Sequence, residues 1–246
     1  MQTKKTILSA SDLYYSYLNE DTGEHLSVLK NITFEILEGE FVCFVGPSGC
    51  GKSTILKILS GLEKSTKGKV NIEAKKIAMV FQNSALFPWL TVRENIAFGL
   101  KMENINKSEI DKIVTEKINE VGLSGFEDKY PIELSGGMKQ RVGIARALAI
   151  SPDLLLMDEP FSSLDILTAE KLRKELLDIW VKYKVTIVMV THLVEEAVEL
   201  ADRIFIFAPR PTFIEEVVSI NLDKPRDKRS QEYYDQVDKI SRQIKT

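Results

Sequence analysis

The chain has 246 residues, 44% apolar and 28% charged, enough for one large α/β domain or a core with a subdomain. Its net charge of −3, from 33 Lys and Arg against 36 Asp and Glu, excludes the overall basic field that holds nucleic acid nonspecifically, so no nucleic-acid partner is expected. Cys43 and Cys50 lack metal spacing and point to a reducing cytosolic setting; Met1–Lys5 does not read as a secretion signal, and no run reaches the ~18 apolar residues of a membrane helix.

Residues 7–17 alternate loosely and, with Val28–Ile36, predict antiparallel strands around a polar loop at Asn19–Glu24; His25, at that loop, is expected to be merely solvated. Phe41–Val45 is an apolar, β-branched run that predicts a buried strand. After it stand Gly46, Pro47, Ser48, Gly49, Cys50, Gly51, Lys52, Ser53 and Thr54, and then a helical pattern of Ile55, Leu56, Ile58 and Leu59 stopped by Gly61. Strand, G-x-x-x-x-G-K-S loop and helix together predict a phosphate cradle for a nucleoside triphosphate. The glycines let backbone N–H groups turn onto the phosphates, and the helix N-terminus adds its positive dipole end. Lys52 would reach the β- and γ-phosphates, and Ser53 would offer a hydroxyl to Mg²⁺. Such a loop alone serves kinases, GTPases and motors equally.

Further on, Lys76–Phe81 predicts a strand ending at Gln82, and the stretch 83–150 reads as helical. Ser108 with Asp111 reads as a capping start for a helix whose inner face is Ile110, Ile113, Val114, Ile118 and Val121. Leu154–Met157 lacks polar alternation, as in a strand buried on both faces. A helix with Leu172, Leu176, Ile179 and Trp180 inward follows, then strand Val185–Val190, a short helix through Val194, Ala197 and Val198, and strand Arg203–Phe207. This alternation predicts right-handed crossovers and a mainly parallel sheet. The charge-rich tail offers Tyr234, Val237 and Ile244 for a short docking helix.

Two further stretches carry chemistry. Asp158, at the end of its strand, is placed to hold Mg²⁺ through water, and Glu159 to accept a proton from an attacking water. Ser135, Gly136 and Gly137 open a helix, so its N-terminal amides and the Ser135 hydroxyl predict a second anion site.

Over about residues 7–215 the chain resembles the nucleotide-binding subunit of ATP-binding cassette (ABC) transporters. The resemblance rests on the Walker A loop at Gly46–Thr54, the signature at Leu134–Met138 and the Walker B strand with Asp158 and Glu159. It extends to Gln82 in the Q-loop, Ser162–Asp165 in the D-loop and His192 in the switch after a strand. It implies an α/β fold: a RecA-like P-loop NTPase core with a mainly parallel sheet (7–82 and 151–215), an N-terminal antiparallel β-subdomain, an inserted helical subdomain (83–150) and a tail (216–246). It also implies ATP and Mg²⁺ as cofactors, Glu159 as general base, Gln82 as a metal and water ligand, and His192 near the γ-phosphate. Tyr17 lies where the family stacks an aromatic on adenine, with Tyr14 and Tyr15 close enough to confuse the register. Two subunits would pack head to tail, Ser135 and Gly137 of each touching the γ-phosphate held by the other.

Some positions depart from the family pattern. The signature ends in Met138 where Gln is commonest, Leu193 follows His192 where an acidic residue is frequent, and Glu63–Val70 lacks a common proline. The spacing leaves no room for the coiled coil of chromosome-type members, and there is one cassette, unlike translation-type members. Gln82–Val92, Pro209–Thr212 and Pro225–Asp227 look like segments of importers for nitrate, sulfonate and taurine. That branch implies permease partners, an extracytoplasmic binding protein and a place at the cytoplasmic face of the membrane, with Phe87 and Trp89 as candidates to meet a permease. A different transporter branch, or an ATP-gated assembly module without transport, is the alternative.

Overall fold

The computed structural model describes residues 5–18, 23–103 and 105–244, so Met1–Lys4 and most of the expected polar loop (residues 19–22) lie outside the described residues. In chain order the elements are β1 (Thr6–Leu18), β2 (His25–Leu37), β3 (Phe41–Val45), α1 (Lys52–Leu59), β4 (Lys67–Ile72), β5 (Ile77–Val80), α2 (Val92–Ala97) and α3 (Lys107–Glu120). Then come α4 (Gly136–Ala149), β6 (Leu154–Asp158), α5 (Ile166–Tyr183), β7 (Thr186–Val190), α6 (Val194–Leu200), β8 (Arg203–Phe207), β9 (Ile214–Ser219) and α7 (Gln231–Gln243). They fall into two compact units, 1–74 with 184–246, and 75–183.

In the first unit β1 pairs antiparallel with β2 on one side and β4 on the other. His25 is the first residue of β2, paired with Leu18, rather than part of the loop, and it is exposed as expected. β3 lies between β7 and β8, parallel to both, and β9 closes the edge antiparallel to β8. All five residues of β3 and of β7 are buried, as a strand covered on both faces requires. Phe34 of β2 packs edge-on against Phe44 of β3 and Phe205 of β8, at centroid distances of 5.5 and 5.7 Å. The antiparallel sheet is thereby fixed to the parallel one by T-shaped aromatic pairs, each worth about 0.5–1.5 kcal/mol beyond its buried area. β4 and β9 were absent from the sequence reading. α7 packs on α6 through Tyr233 and Ile240, whereas Tyr234, expected inward, is exposed.

The second unit pairs β5 and β6 in parallel and gathers α2, α3 and α4 around their own apolar cluster of Val92, Ile96, Val114, Ile118, Val142 and Ala145. Met138 packs against this cluster, an apolar use for the position where the family more often has Gln. The cap of α3 is Asn106, two residues before the expected Ser108: its carboxamide oxygen accepts from the Glu109 N–H at 2.9 Å. The loop after β5 holds two successive non-glycine residues in the left-handed region, Ser84 (φ 56°) and Ala85 (φ 42°). Their carbonyls accept from Arg146 of α4 at 2.8 and 2.9 Å, and the Ser84 hydroxyl donates to Gln140 at 2.5 Å. Buried Asn95 then ties the carbonyls of Phe87, Leu90 and Thr91.

α3 and α5 are joined by a polar knot around one buried ammonium. Lys117 is almost fully buried and donates to Glu120 (2.9 Å) and to the Tyr183 hydroxyl (2.8 Å); Tyr183 and Lys182 donate in turn to the other Glu120 oxygen. Burial works to raise the Glu120 pKa, but the donors Lys182, Tyr183 and Lys117 outweigh it and bring it down to about 2. A folded-state value below the ordinary carboxylate value of about 4.3 means stability that is present above that pH and lost as pH falls toward 2. Denaturation midpoints measured across pH 2–6 should therefore drop on acidification, and Glu120→Gln should flatten that drop while lowering stability at neutral pH.

Candidate active site

The loop between β3 and α1 is glycine by necessity at two points. A Cβ on Gly51 would lie 2.7 Å from Val28 Cγ1, at φ +123°, and one on Gly46 would lie 2.6 Å from the Phe207 carbonyl oxygen. The backbone thus passes tightly between β2 and the end of β8. Lys52 is nearly fully buried and its ammonium curls back to donate to the carbonyls of Gly46 (2.8 Å) and Pro47 (2.9 Å), 3.9 Å from Cys50 Sγ. α1 has no side-chain cap, in contrast to α2, α3, α4 and α7, which are capped by Thr91, Asn106, Ser135 and Ser230. α1 thus begins with no side-chain cap, and a buried ammonium stands beside its first turn. This chemistry fits the phosphate chain of a nucleotide. Ser48 and Gly49 are exposed on this loop, and Ser53 is half-buried at its end.

Of the three nearby tyrosines, Tyr17 is the one that reaches this loop: its hydroxyl is 3.3 Å from Thr54 Oγ1. Tyr15 is buried and turned to Glu63. In the same unit Phe44 of β3 is paired with Val190 of β7, and Thr191 N–H donates to the Phe44 carbonyl at 3.2 Å. Exposed His192 therefore stands beside the strand end where the glycine loop begins. The Thr191 hydroxyl accepts from the Leu193 N–H (3.1 Å) and pairs with buried Glu196 (2.6 Å), shaping the turn that presents His192. Leu193 follows His192, and the first turn of α6 carries Glu195 and Glu196.

The second unit brings together another set. The register Val80↔Met157 puts Gln82 and Glu159 each two residues beyond paired strand ends. Gln82 Nε2 lies 3.4 Å from Glu159 Oε2 and 3.2 Å from Ser162 Oγ, and the Ser162 hydroxyl donates to the Glu159 carbonyl at 3.0 Å. Glu159 has φ 43°, a left-handed conformation disfavoured for glutamate, which turns the chain sharply after Asp158. Ser162 is a member of this set that sequence reasoning left without a role; its hydroxyl three residues after a carboxylate was the available signal.

Ser135 caps α4 by accepting from the Met138 N–H at 3.3 Å, which leaves its own proton for an anion. A Cβ on Gly137 would lie 2.7 Å from Thr168 Cγ2, so Gly137 is required by the packing of α4 on the start of α5. Gly136 is open by comparison, its Cβ position 3.8 Å from the Ser163 carbonyl. Asp165 caps that same turn, accepting from the Thr168 N–H at 3.0 Å.

The strain and the clash at Gly51 make a direct check. Gly51→Ala should weaken ATP binding, measured by titration, by about tenfold or more. The circular dichroism of the α/β fold should persist.

Comparison with known proteins agrees with this geometry. The family model described as "ABC transporter" matches residues 29–162. The chain is 45% identical to the nitrate import ATP-binding protein NrtD of Synechocystis sp., over 87% of this chain and 86% of that protein. It is 44% identical to the aliphatic sulfonates import ATP-binding protein SsuB of Bacillus thuringiensis subsp. konkukian, over 93% and 92%. Among solved structures, a dimeric ATP-binding cassette in a post-hydrolysis state with ADP and Pi superposes with a TM-score of 0.78 at 33% identity, covering 87% of this chain and 99% of that one. With its glycine loop, its uncapped helix and relatives matched almost end to end, the chain belongs to the ABC transporter family and is an ABC-type ATPase.

Proposed function

We propose that this ATPase is the subunit that drives an importer for a small anion of the nitrate, sulfonate or taurine kind, working as a pair with two membrane permeases at the cytoplasmic face. The observation that carries the catalytic part of the reading is the Gln82–Glu159–Ser162 cluster at the ends of β5 and β6. The importer reading rests on the nitrate and sulfonate import relatives. Among the described residues no helix is long and apolar enough to cross a membrane, so a permease must supply the pathway. Exposed Trp89, tilted against half-buried Phe87 at 5.6 Å, is apolar surface suited to such a partner. An extracytoplasmic binding protein would deliver the anion to the permeases.

In this reading ATP lies along α1. The amides of Gly49 to Thr54 and the Lys52 ammonium hold the phosphates, once Lys52 exchanges the Gly46 and Pro47 carbonyls for phosphate oxygens. Tyr17 offers its ring to the adenine. Mg²⁺, when bound, would neutralise charge on the phosphates, and the Ser53 hydroxyl, the Gln82 amide oxygen and the Asp158 carboxylate are the hard oxygen donors suited to hold it. Glu159 takes the proton of the attacking water; Gln82 donates to its carboxylate, and Ser162, bonded to the Glu159 main-chain carbonyl and to Gln82, holds the turn that presents it. His192 orients the water and the γ-phosphate. Ser135, Gly136 and Gly137 of a second copy close the other side of the γ-phosphate, so hydrolysis needs a dimer. Binding of ATP draws the two copies together, and hydrolysis releases them, which gives the permeases their two states.

Two substitutions separate binding from chemistry. Lys52→Ala should abolish ATP binding in an equilibrium titration. Glu159→Gln should bind ATP but release phosphate about a hundredfold or more slowly, and should accumulate as a dimer on size exclusion. Normal turnover in Glu159→Gln would remove Glu159 from the role of base. Reconstitution with the permeases tests the transport assignment: a transporter subunit is stimulated by them, whereas an assembly module is not.

A further inference from the structure

Two tyrosines on β1 are tied to opposite ends of α1. Tyr17 reaches Thr54, in the first turn, with a hydroxyl–hydroxyl distance of 3.3 Å. Tyr15 is 7% exposed and its hydroxyl donates to Glu63 Oε2 at 3.1 Å. Glu63 stands just beyond the C-terminal end of the helix, where its N–H donates to the Lys57 carbonyl at 3.1 Å. The two rings meet at 4.9 Å with an interplanar angle of 86°. Burial and the Glu63 carboxylate push the Tyr15 phenol up to about 12, so it remains a donor throughout the physiological range. Tyr17 itself is 39% exposed, a flat surface free to receive a ring.

An exposed tyrosine near a strand end would ordinarily sample several rotamers, and ordering it on ligand binding would cost affinity. Here that freedom is already removed. The buried Tyr15 ring blocks one side of Tyr17 and Thr54 holds its far end, while Glu63 holds Tyr15. The helix that presents the phosphate-binding amides therefore also sets the position of the aromatic platform.

We propose that Tyr15 and Glu63 are positioning residues for base recognition: they brace the Tyr17 ring against α1, so that base and triphosphate are bound in one fixed register. This deepens, and rests on, the assignment of Tyr17 as the ring that stacks on adenine. Within the brace the Tyr17 and Thr54 hydroxyls share one hydrogen bond at 3.3 Å. A purine nucleoside triphosphate gains from the brace, whereas a bare triphosphate chain does not.

The test is equilibrium binding of ATP and of inorganic tripolyphosphate, each with Mg²⁺, to the full chain and its variants. Tyr15→Phe and Glu63→Ala should each weaken ATP binding about three- to tenfold and leave tripolyphosphate binding unchanged. Glu63→Gln, whose amide oxygen still accepts from Tyr15, should restore ATP affinity. Tyr17→Ala should lose more ATP affinity than either, again sparing tripolyphosphate. If Tyr17→Ala weakens ATP binding but Tyr15→Phe and Glu63→Ala do not, the brace is wrong and the platform stands. Equal losses for ATP and tripolyphosphate in Tyr15→Phe and Glu63→Ala would also overturn it, because the residues would then only support the fold. Normal ATP binding by Tyr17→Ala would remove the platform, and the brace with it.

Discussion

The passage of the chain from β3 into α1 is constrained by two close approaches, Gly46 against the Phe207 carbonyl and Gly51 against Val28 and Leu29. Each leaves no room for a Cβ, so the loop can exist only where β2 and β8 already flank it. The T-shaped contacts of Phe34 with Phe44 and Phe205 keep those flanks together. Once the loop is seated, α1 begins without a side-chain cap, and Lys52 turns inward onto the loop carbonyls. The anion-binding character of the site is thus a by-product of tight packing: what cannot be filled by side chain is left as bare backbone donors.

In the second unit, polar bonds work alongside the apolar cluster of α2, α3 and α4. Arg146 and Gln140 of α4 hold a turn with two left-handed residues, Asn95 holds the segment after it, and Arg141 links the Val121 carbonyl to Glu175 of α5. Each removes a buried group from the list of unsatisfied donors and acceptors, and each also fixes the direction of a functional stretch. The loop after β5 is held to the middle of α4 by these bonds. Gln82 can meet Glu159 because the strand register brings both just past Val80 and Met157.

The strands that carry chemistry were legible because they are buried on both faces: Phe41–Val45 and Leu154–Met157 read as continuous apolar runs with the motif residues directly after them. β4 and β9 escaped because they lie at sheet edges; β4, Lys-Gly-Lys-Val-Asn-Ile, buries none of its residues fully and has no period to detect. At the start of α3, Asn106 and Ser108 are both good caps, and only the observed bond to the Glu109 N–H decides between them. In the tail, adjacent Tyr233 and Tyr234 differ by about 100° around the helix, so a slip of one residue exchanged the buried ring for the exposed one. The same adjacency problem arises at Tyr14, Tyr15 and Tyr17, of which Tyr17 is the one whose hydroxyl meets Thr54 Oγ1. The role of Ser162 depends on a strand pairing that lies far from it in sequence.

The turn at Ser84 and Ala85 bears on how this chain can vary. Arg146 serves two successive carbonyls with one planar fork, a geometry that the single ammonium of lysine does not reproduce. Gln140, Gly143 and Arg146 recur at intervals of three along α4 and all face the same turn, and a Cβ on Gly143 would already touch Ser84 at 3.5 Å. Inserting or deleting one residue within α4 would rotate part of that row by about 100° and leave the left-handed pair without support. Length is therefore fixed between residues 135 and 146.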